Sequence, residues 1–129
     1  MRILLAEDDQ TSRSFMSKYL SRYGQCDIVV NGLDAINKLE TAIENDVAYD
    51  LICLDVMMPK IDGIKALSEI RKLESKKGNK NKKAVIIMTT ALNDKVTVKD
   101  AYDAGCDAYA WKPINIKEFN VLLEELGLI

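Results

Sequence analysis

Four short groups of residues carry the side chains best suited to chemistry on an oxyanion: Glu7-Asp8-Asp9, Asp55, Thr90-Ala91 and Lys112-Pro113. Each follows or closes an apolar run of strand length. Those runs are Ile3-Leu4-Leu5-Ala6, Leu51-Ile52-Cys53-Leu54, Val85-Ile86-Ile87-Met88 and Ala108-Tyr109-Ala110-Trp111. In an open parallel sheet the carboxyl ends of the strands share one edge, and ligands bind at that edge. The pattern therefore gathers carboxylates, a hydroxyl and an ammonium into one crevice.

Three adjacent acids repel one another if all are buried together. At a strand end some can face inward and others water, and one of the three suits the cap of the helix that follows. Inward carboxylates that meet Asp55 form a cluster of hard oxygen ligands, which a divalent cation neutralises. Mg²⁺ typically takes one or two carboxylates, several waters and phosphate oxygens. The acids thus point to a metal, and the metal to phosphate. Asp55 itself is either a metal ligand or a nucleophile that accepts a phosphoryl group. A turn role for it is redundant, because Pro59 and Gly63 already supply turn chemistry. Phosphoryl transfer is mostly positioning and charge neutralisation, and Thr90 and Lys112 offer the hydroxyl and the cation for it. The Lys112-Pro113 bond after a buried run is a candidate cis turn that would set the lysine's direction.

Segments of helical period separate the apolar runs, the signature of βα units on a parallel sheet. The spacing predicts a first helix over 11–23, with Phe15, Met16, Tyr19 and Leu20 on its inner face and Gly24 ending it. It predicts a strand over 27–30 and a second helix over 32–45 with Leu33, Ile36, Leu39 and Ile43 inward. The third strand covers 50–54, and a helix after Gly63 carries Ile64, Leu67, Ile70 and Leu73. The fourth strand covers 84–89. A weaker helix over 94–104, with Val96, Val98, Ala101 and Tyr102, ends at Gly105. After a strand over 108–111, Asn115 caps a last helix with Phe119, Leu122, Leu123 and Leu126 inward. Right-handed crossovers turn five strands and five helices into an α/β three-layer sandwich.

At 129 residues, 48% apolar and 29% charged, the chain reads as a single globular domain spanning 1–129. A net charge of −2 argues against broad nucleic-acid or acidic-membrane binding. No apolar stretch approaches the ~20 residues of a membrane span, nothing resembles a signal peptide, and a cytoplasmic location is expected. Cys26, Cys53 and Cys106 form no zinc or redox spacing, and Cys53 reads as a small core residue. Histidine is absent, which excludes Ser-His-Asp and Cys-His catalysis. Any histidine in a phosphoryl transfer must then belong to a partner. The segment 75–83 holds five lysines and reads as a solvated loop at the sheet end opposite the acids, with a basic docking patch as the alternative.

With these residues assembled, the chain resembles the receiver domain of bacterial two-component response regulators, along essentially its whole length. The resemblance rests on Glu7-Asp8, Asp55, Met58-Pro59-Lys60-Ile61-Asp62-Gly63, Thr90-Ala91, Tyr109 and Lys112-Pro113, in that order. It implies a doubly wound, flavodoxin-like sheet of order 2-1-3-4-5. It implies that Asp55 is phosphorylated by a partner histidine kinase or histidine phosphotransfer protein. It implies Mg²⁺ held by Asp8, Asp55 and the backbone carbonyl of Met57, with Glu7 acting through water and Asp9 left as a capping or solvated acid. Thr90, Ala91 and Lys112 would contact the phosphoryl group. Thr90 and Tyr109 would form a switch that remodels the face of helix four, strand five and helix five for a downstream effector protein. The expected state is a monomer or a weak phosphorylation-dependent dimer, with no direct nucleic-acid or membrane contact.

Met57 and Leu92 stand where family members often carry polar side chains that orient a hydrolytic water, so slow self-dephosphorylation is expected. Trp111 reads as a packed core residue, with a half-exposed position on the output face as the alternative. The sequence ends soon after the last helix, so output is expected through a protein contact, a phosphorelay step, or a larger regulator from which this domain was excised. Two other classes fit less well. A flavodoxin-like electron carrier needs a hydroxyl- and glycine-rich loop where this chain has carboxylates. An aspartyl phosphohydrolase needs Asp-x-Asp, and Asp55-Val56-Met57 lacks it.

Overall fold

The computed structural model describes residues 1–77, 83–91 and 95–129. Its elements are β1 (Arg2–Ala6), α1 (Gln10–Leu20), β2 (Gln25–Val29), α2 (Gly32–Glu44), β3 (Leu51–Asp55), α3 (Gly63–Lys77), β4 (Val85–Thr90), α4 (Lys95–Ala104), β5 (Ala108–Trp111) and α5 (Ile116–Glu125). The strands form one parallel sheet of order β2-β1-β3-β4-β5, as expected. Every residue of β3 is buried, which is why its sequence is a continuous apolar run and not an alternating one.

Two apolar clusters cover the sheet's faces and make the three layers. Leu4, Ala6, Ile52, Leu54, Ile86 and Met88 pack under α2, α3 and α4. Ile3, Leu5, Leu51, Cys53 and Ile87 pack under α1 and α5. Successive strand residues alternate between the clusters, so a one-residue slip would turn each strand inside out.

Several helix faces differ from the sequence reading. In α1 the buried stripe is Met16, Tyr19 and Leu20, and Phe15 is 43% exposed. That helix stops at Leu20, four residues before Gly24, and a turn takes the chain on with Tyr23 N–H donating to Leu20 O at 2.9 Å. In α2 the inward residues are Ala35, Leu39 and Ala42, with Ile36 and Ile43 at the border and Leu33 exposed in the first turn. Small alanines let α2 approach the sheet closely, and the larger side chains flank them. Helix α4 buries only Ala101 among its described residues, with Val96 and Tyr102 exposed, in keeping with its weak stripe. It ends at Gly105, whose φ of +112° suits glycine. Asn115 caps α5 by accepting from Glu118 N–H at 3.1 Å. The lysine-rich segment joins α3 to the amino end of β4, and its residues 78–82 lie outside the described residues.

Candidate functional site

Three of the four strands that end at the crevice place their acid or ammonium one step past, or at, the last paired residue. Glu7 N–H donates to Val29 O at 3.1 Å and Lys112 N–H to Thr90 O at 2.8 Å, each extending a ladder by one bond. Asp55 is the last residue of β3 and lies opposite Thr89 of β4. The backbone leaves β3 under tight restraint: Val56 N–H bonds Thr89 O at 3.1 Å, and Gly63 N–H returns to Val56 O at 2.8 Å.

Lys112 Nζ bridges two acids, pairing with Glu7 Oε1 and with Asp55 Oδ2 at 3.0 Å. Both acids are buried, and Lys112 is largely so. The other Glu7 oxygen accepts from Asp9 N–H at 3.2 Å. The other Asp55 oxygen accepts from Met57 N–H at 3.3 Å. Burial, then the Asp55 carboxylate, pushes Glu7 up to about 7, against the pull of Lys112. Burial works against the charged form of Lys112, but its bonds to Glu7 and Asp55 outweigh that and raise its pKa. Glu7, Asp8 and Asp55 each present one oxygen, all within 4.8 Å of one another. Three carboxylates facing one ammonium leave an excess of negative charge, and the exposed Asp8 faces solvent. A hard divalent cation that keeps some of its waters fits this donor set.

The remaining predicted residues surround this cluster. Asp9 is the N-cap of α1 and accepts from Ser12 N–H at 2.8 Å, which holds its carboxyl below the usual range. Thr90 is buried at the end of β4, and Ala91 follows it at the surface. The Lys112–Pro113 bond is cis. Tyr109 is buried, with its ring 5.4 Å from that of Trp111. Trp111 itself is 48% exposed, contrary to the packed position expected, because β5 is the edge strand beside β4 in the described sheet. Met57 is 61% exposed, and Leu92 lies outside the described residues.

Two participants escaped the sequence reading. Arg13 Nη1 donates to Glu7 O at 3.2 Å and to Asp8 O at 3.1 Å, tying α1 to the acidic loop. Its signal was a cation one turn into a helix, where the dipole disfavours positive charge. Phe15 and Met16 of α1 line a cleft of about 250 Å³ with Thr89, Lys112, Pro113 and Ile114. An aromatic residue on a helix reads as core by default, so nothing in the spacing marked Phe15 as a wall of this cleft.

Residues 3–124 match the response regulator receiver domain family. The chain belongs to that family. It is 34% identical over all of its length to hybrid signal transduction histidine kinase G of Dictyostelium discoideum. It is 35% identical over 91% of its length to transcriptional regulatory protein ResD of Bacillus subtilis. It spans 4% and 44% of those two proteins. Among solved structures, it is 25% identical to the receiver domain of the histidine kinase CKI1 from Arabidopsis thaliana, complexed with Mg²⁺ and BeF₃⁻, with a TM-score of 0.84 over 98% of this chain and 89% of that one. The chain is thus a two-component receiver domain, a regulatory phospho-acceptor. No helix among its described residues is long and apolar enough to cross a membrane.

Proposed function

We propose that Asp55 accepts a phosphoryl group from a phosphohistidine of a partner histidine kinase or phosphotransfer protein. One Asp55 carboxylate oxygen would form the new O–P bond as the N–P bond breaks, leaving the electron pair on the partner's imidazole nitrogen. The observation that carries this reading is the Lys112 ammonium at 3.0 Å from Asp55 Oδ2, where it can neutralise charge on an incoming phosphoryl group.

Asp8, Asp55 and the Met57 backbone carbonyl would hold Mg²⁺, with Glu7 acting through water. The cation would supply charge neutralisation to the phosphoryl oxygens. Thr90, the backbone of Ala91 and Lys112 would take the oxygens the cation leaves. A dianionic group beside Thr90 creates hydrogen bonds absent before, and a move of Thr90 would open space for Tyr109. The face of α4, β5 and α5 would then change its fit for a downstream effector, or for a second copy in a weak dimer.

The test is incubation with Mg²⁺ and acetyl phosphate, followed by intact mass spectrometry of the wild type and Asp55→Asn. One added phosphate on the wild type, lost with chelator and missing from the variant, is the expected result. Equal phosphorylation of both would remove Asp55 from this role.

A further inference from the structure

Helix α1 begins at its N-cap Asp9, and its first turn holds no acidic residue. Arg13 stands one turn in, with its N–H bonded to Asp9 O at 2.8 Å. A cation there opposes the helix dipole. The side chain turns back over the helix start, and one nitrogen grips two successive carbonyls, those of Glu7 and Asp8, at 3.2 and 3.1 Å. Its acceptors are main-chain oxygens, so neither carboxylate is spent on it.

The two acids differ in what holds them. The Glu7 carboxylate is fixed by Lys112 and by Asp9 N–H. The Asp8 carboxylate accepts from none of the described residues, so the restraint the structure gives it is the one on its backbone. That backbone is what Arg13 clamps. We propose that Arg13 is a positioning residue for the divalent cation, aiming the Asp8 carboxylate at Asp55 through the Glu7 and Asp8 carbonyls. The inference rests on the reading that this cluster takes Mg²⁺.

Charge and positioning make opposite predictions here, which gives the test its sign. Removing a positive charge from beside the acidic loop should tighten cation binding if field strength alone matters. Loosening the loop should weaken it, and partners that orient metal ligands are typically worth tenfold or more in affinity.

Calorimetric titration of MgCl₂ into the full chain measures this directly, on the wild type, Arg13→Gln and Arg13→Lys. Arg13→Gln should weaken binding about tenfold, and Arg13→Lys, which keeps the charge and a multi-donor nitrogen but on a side chain one bond too short to reach both carbonyls, should fall between. In acetyl phosphate reactions the half-saturating Mg²⁺ concentration should rise by the same factor, with the plateau rate changed far less. A destabilised fold alone would not produce that split. Should Arg13→Gln fail to fold, Arg13→Lys decides: weaker binding with a native circular-dichroism spectrum supports the proposal, and unchanged binding overturns it. Equal or tighter Mg²⁺ binding by Arg13→Gln overturns the positioning role while the site reading stands. A wild type that binds no Mg²⁺ overturns both.

Discussion

Gly63 packs its α-carbon against the main chain of Asp55, so closely that a Cβ on it would lie 2.0 Å from the Asp55 carbonyl oxygen. No side chain can move aside to relieve that contact, because backbone stands on both sides of it. Gly63→Ala should cost about 3 kcal/mol, at the upper end of what overpacking does. It should also slow acetyl phosphate labelling, because the displaced atoms belong to the residue proposed to be labelled. Urea denaturation and a labelling time course check the two effects separately. A variant of unchanged stability would mean that the β3–α3 loop yields freely.

Glu7 gives the metal-free protein a distinctive pH dependence. Its pKa rises from the ordinary 4.5 to about 7 in the folded state. Between those values the folded protein holds a proton that the unfolded chain has released. Its contribution to stability is therefore complete below pH 4.5 and lost as pH climbs through about 7. Lys112, raised above its ordinary value, stays charged throughout that window and adds no slope. Denaturation midpoints in chelator should fall from pH 5 to pH 7.5, and Glu7→Gln should flatten the fall. Mg²⁺ should expel the proton, so binding below pH 7 should acidify a weakly buffered solution.

The strand ends that form the candidate site are legible in the sequence. An apolar run that stops at a polar residue marks where a buried strand meets the crevice, and Asp55, Thr90 and Lys112 all stand at such stops. Helix faces were harder to read. Phe15 and Leu33 satisfy the helical period as well as Met16 and Ala35 do, and only the docking angle of each helix decides which of them is covered. Trp111 misled for a related reason: an apolar strand residue reads as buried, and the topology that makes β5 an edge is a property of the whole sheet. The Arg13 clamp was invisible because its acceptors are carbonyl oxygens, which no residue type announces.

Arg71 governs the opposite edge of the sheet. Its guanidinium donates to Gly105 O at 2.9 Å, Ala84 O at 2.9 Å, Glu74 Oε1 at 2.7 Å and Asp107 Oδ2 at 2.9 Å. Glu74 and Asp107 in turn accept from Ala84 and Ile86 N–H at 2.8 and 2.9 Å. One side chain thus ties α3 to the entries of β4 and β5. The Glu74 side chain is only 6% exposed, so Arg71→Met leaves its charge buried without its cation and with the Ala84 N–H as its donor, and about 3 kcal/mol should be lost. Arg71→Lys should recover little, because an ammonium cannot span four acceptors in a planar fork. Mg²⁺ affinity should stay near wild type in any variant that folds, since the acidic cluster lies at the other edge.

Met57 bears on how long a phosphorylated state would last. Its thioether is 61% exposed two residues after Asp55 and has no group able to orient and deprotonate a water. The aspartyl phosphate should persist for minutes rather than seconds without a phosphatase. Met57→Asn supplies an amide that orients a water without deprotonating it, and it should shorten the lifetime by about tenfold. Decay of the phosphorylated mass after removal of acetyl phosphate measures both. A wild-type lifetime of seconds would mean that another group activates the water.

Trp111 offers an optical reading of the proposed switch. It is the one tryptophan in the chain, half in water, and its ring meets that of the buried Tyr109 at 5.4 Å and 57°. Thr90 is the register partner of Trp111, and Tyr109 that of Met88, so a rearrangement at Thr90 has two routes to the indole, one direct and one through the packed ring. Beryllofluoride with Mg²⁺ should therefore change the emission of the wild type, and Asp55→Asn should abolish the change. Tyr109→Phe keeps the ring contact and should keep the signal, whereas Tyr109→Ala removes the contact and should lose most of it. A full response in Tyr109→Ala would show that the indole reports on Thr90, its strand partner, or on Lys112, its chain neighbour, and not on the tyrosine.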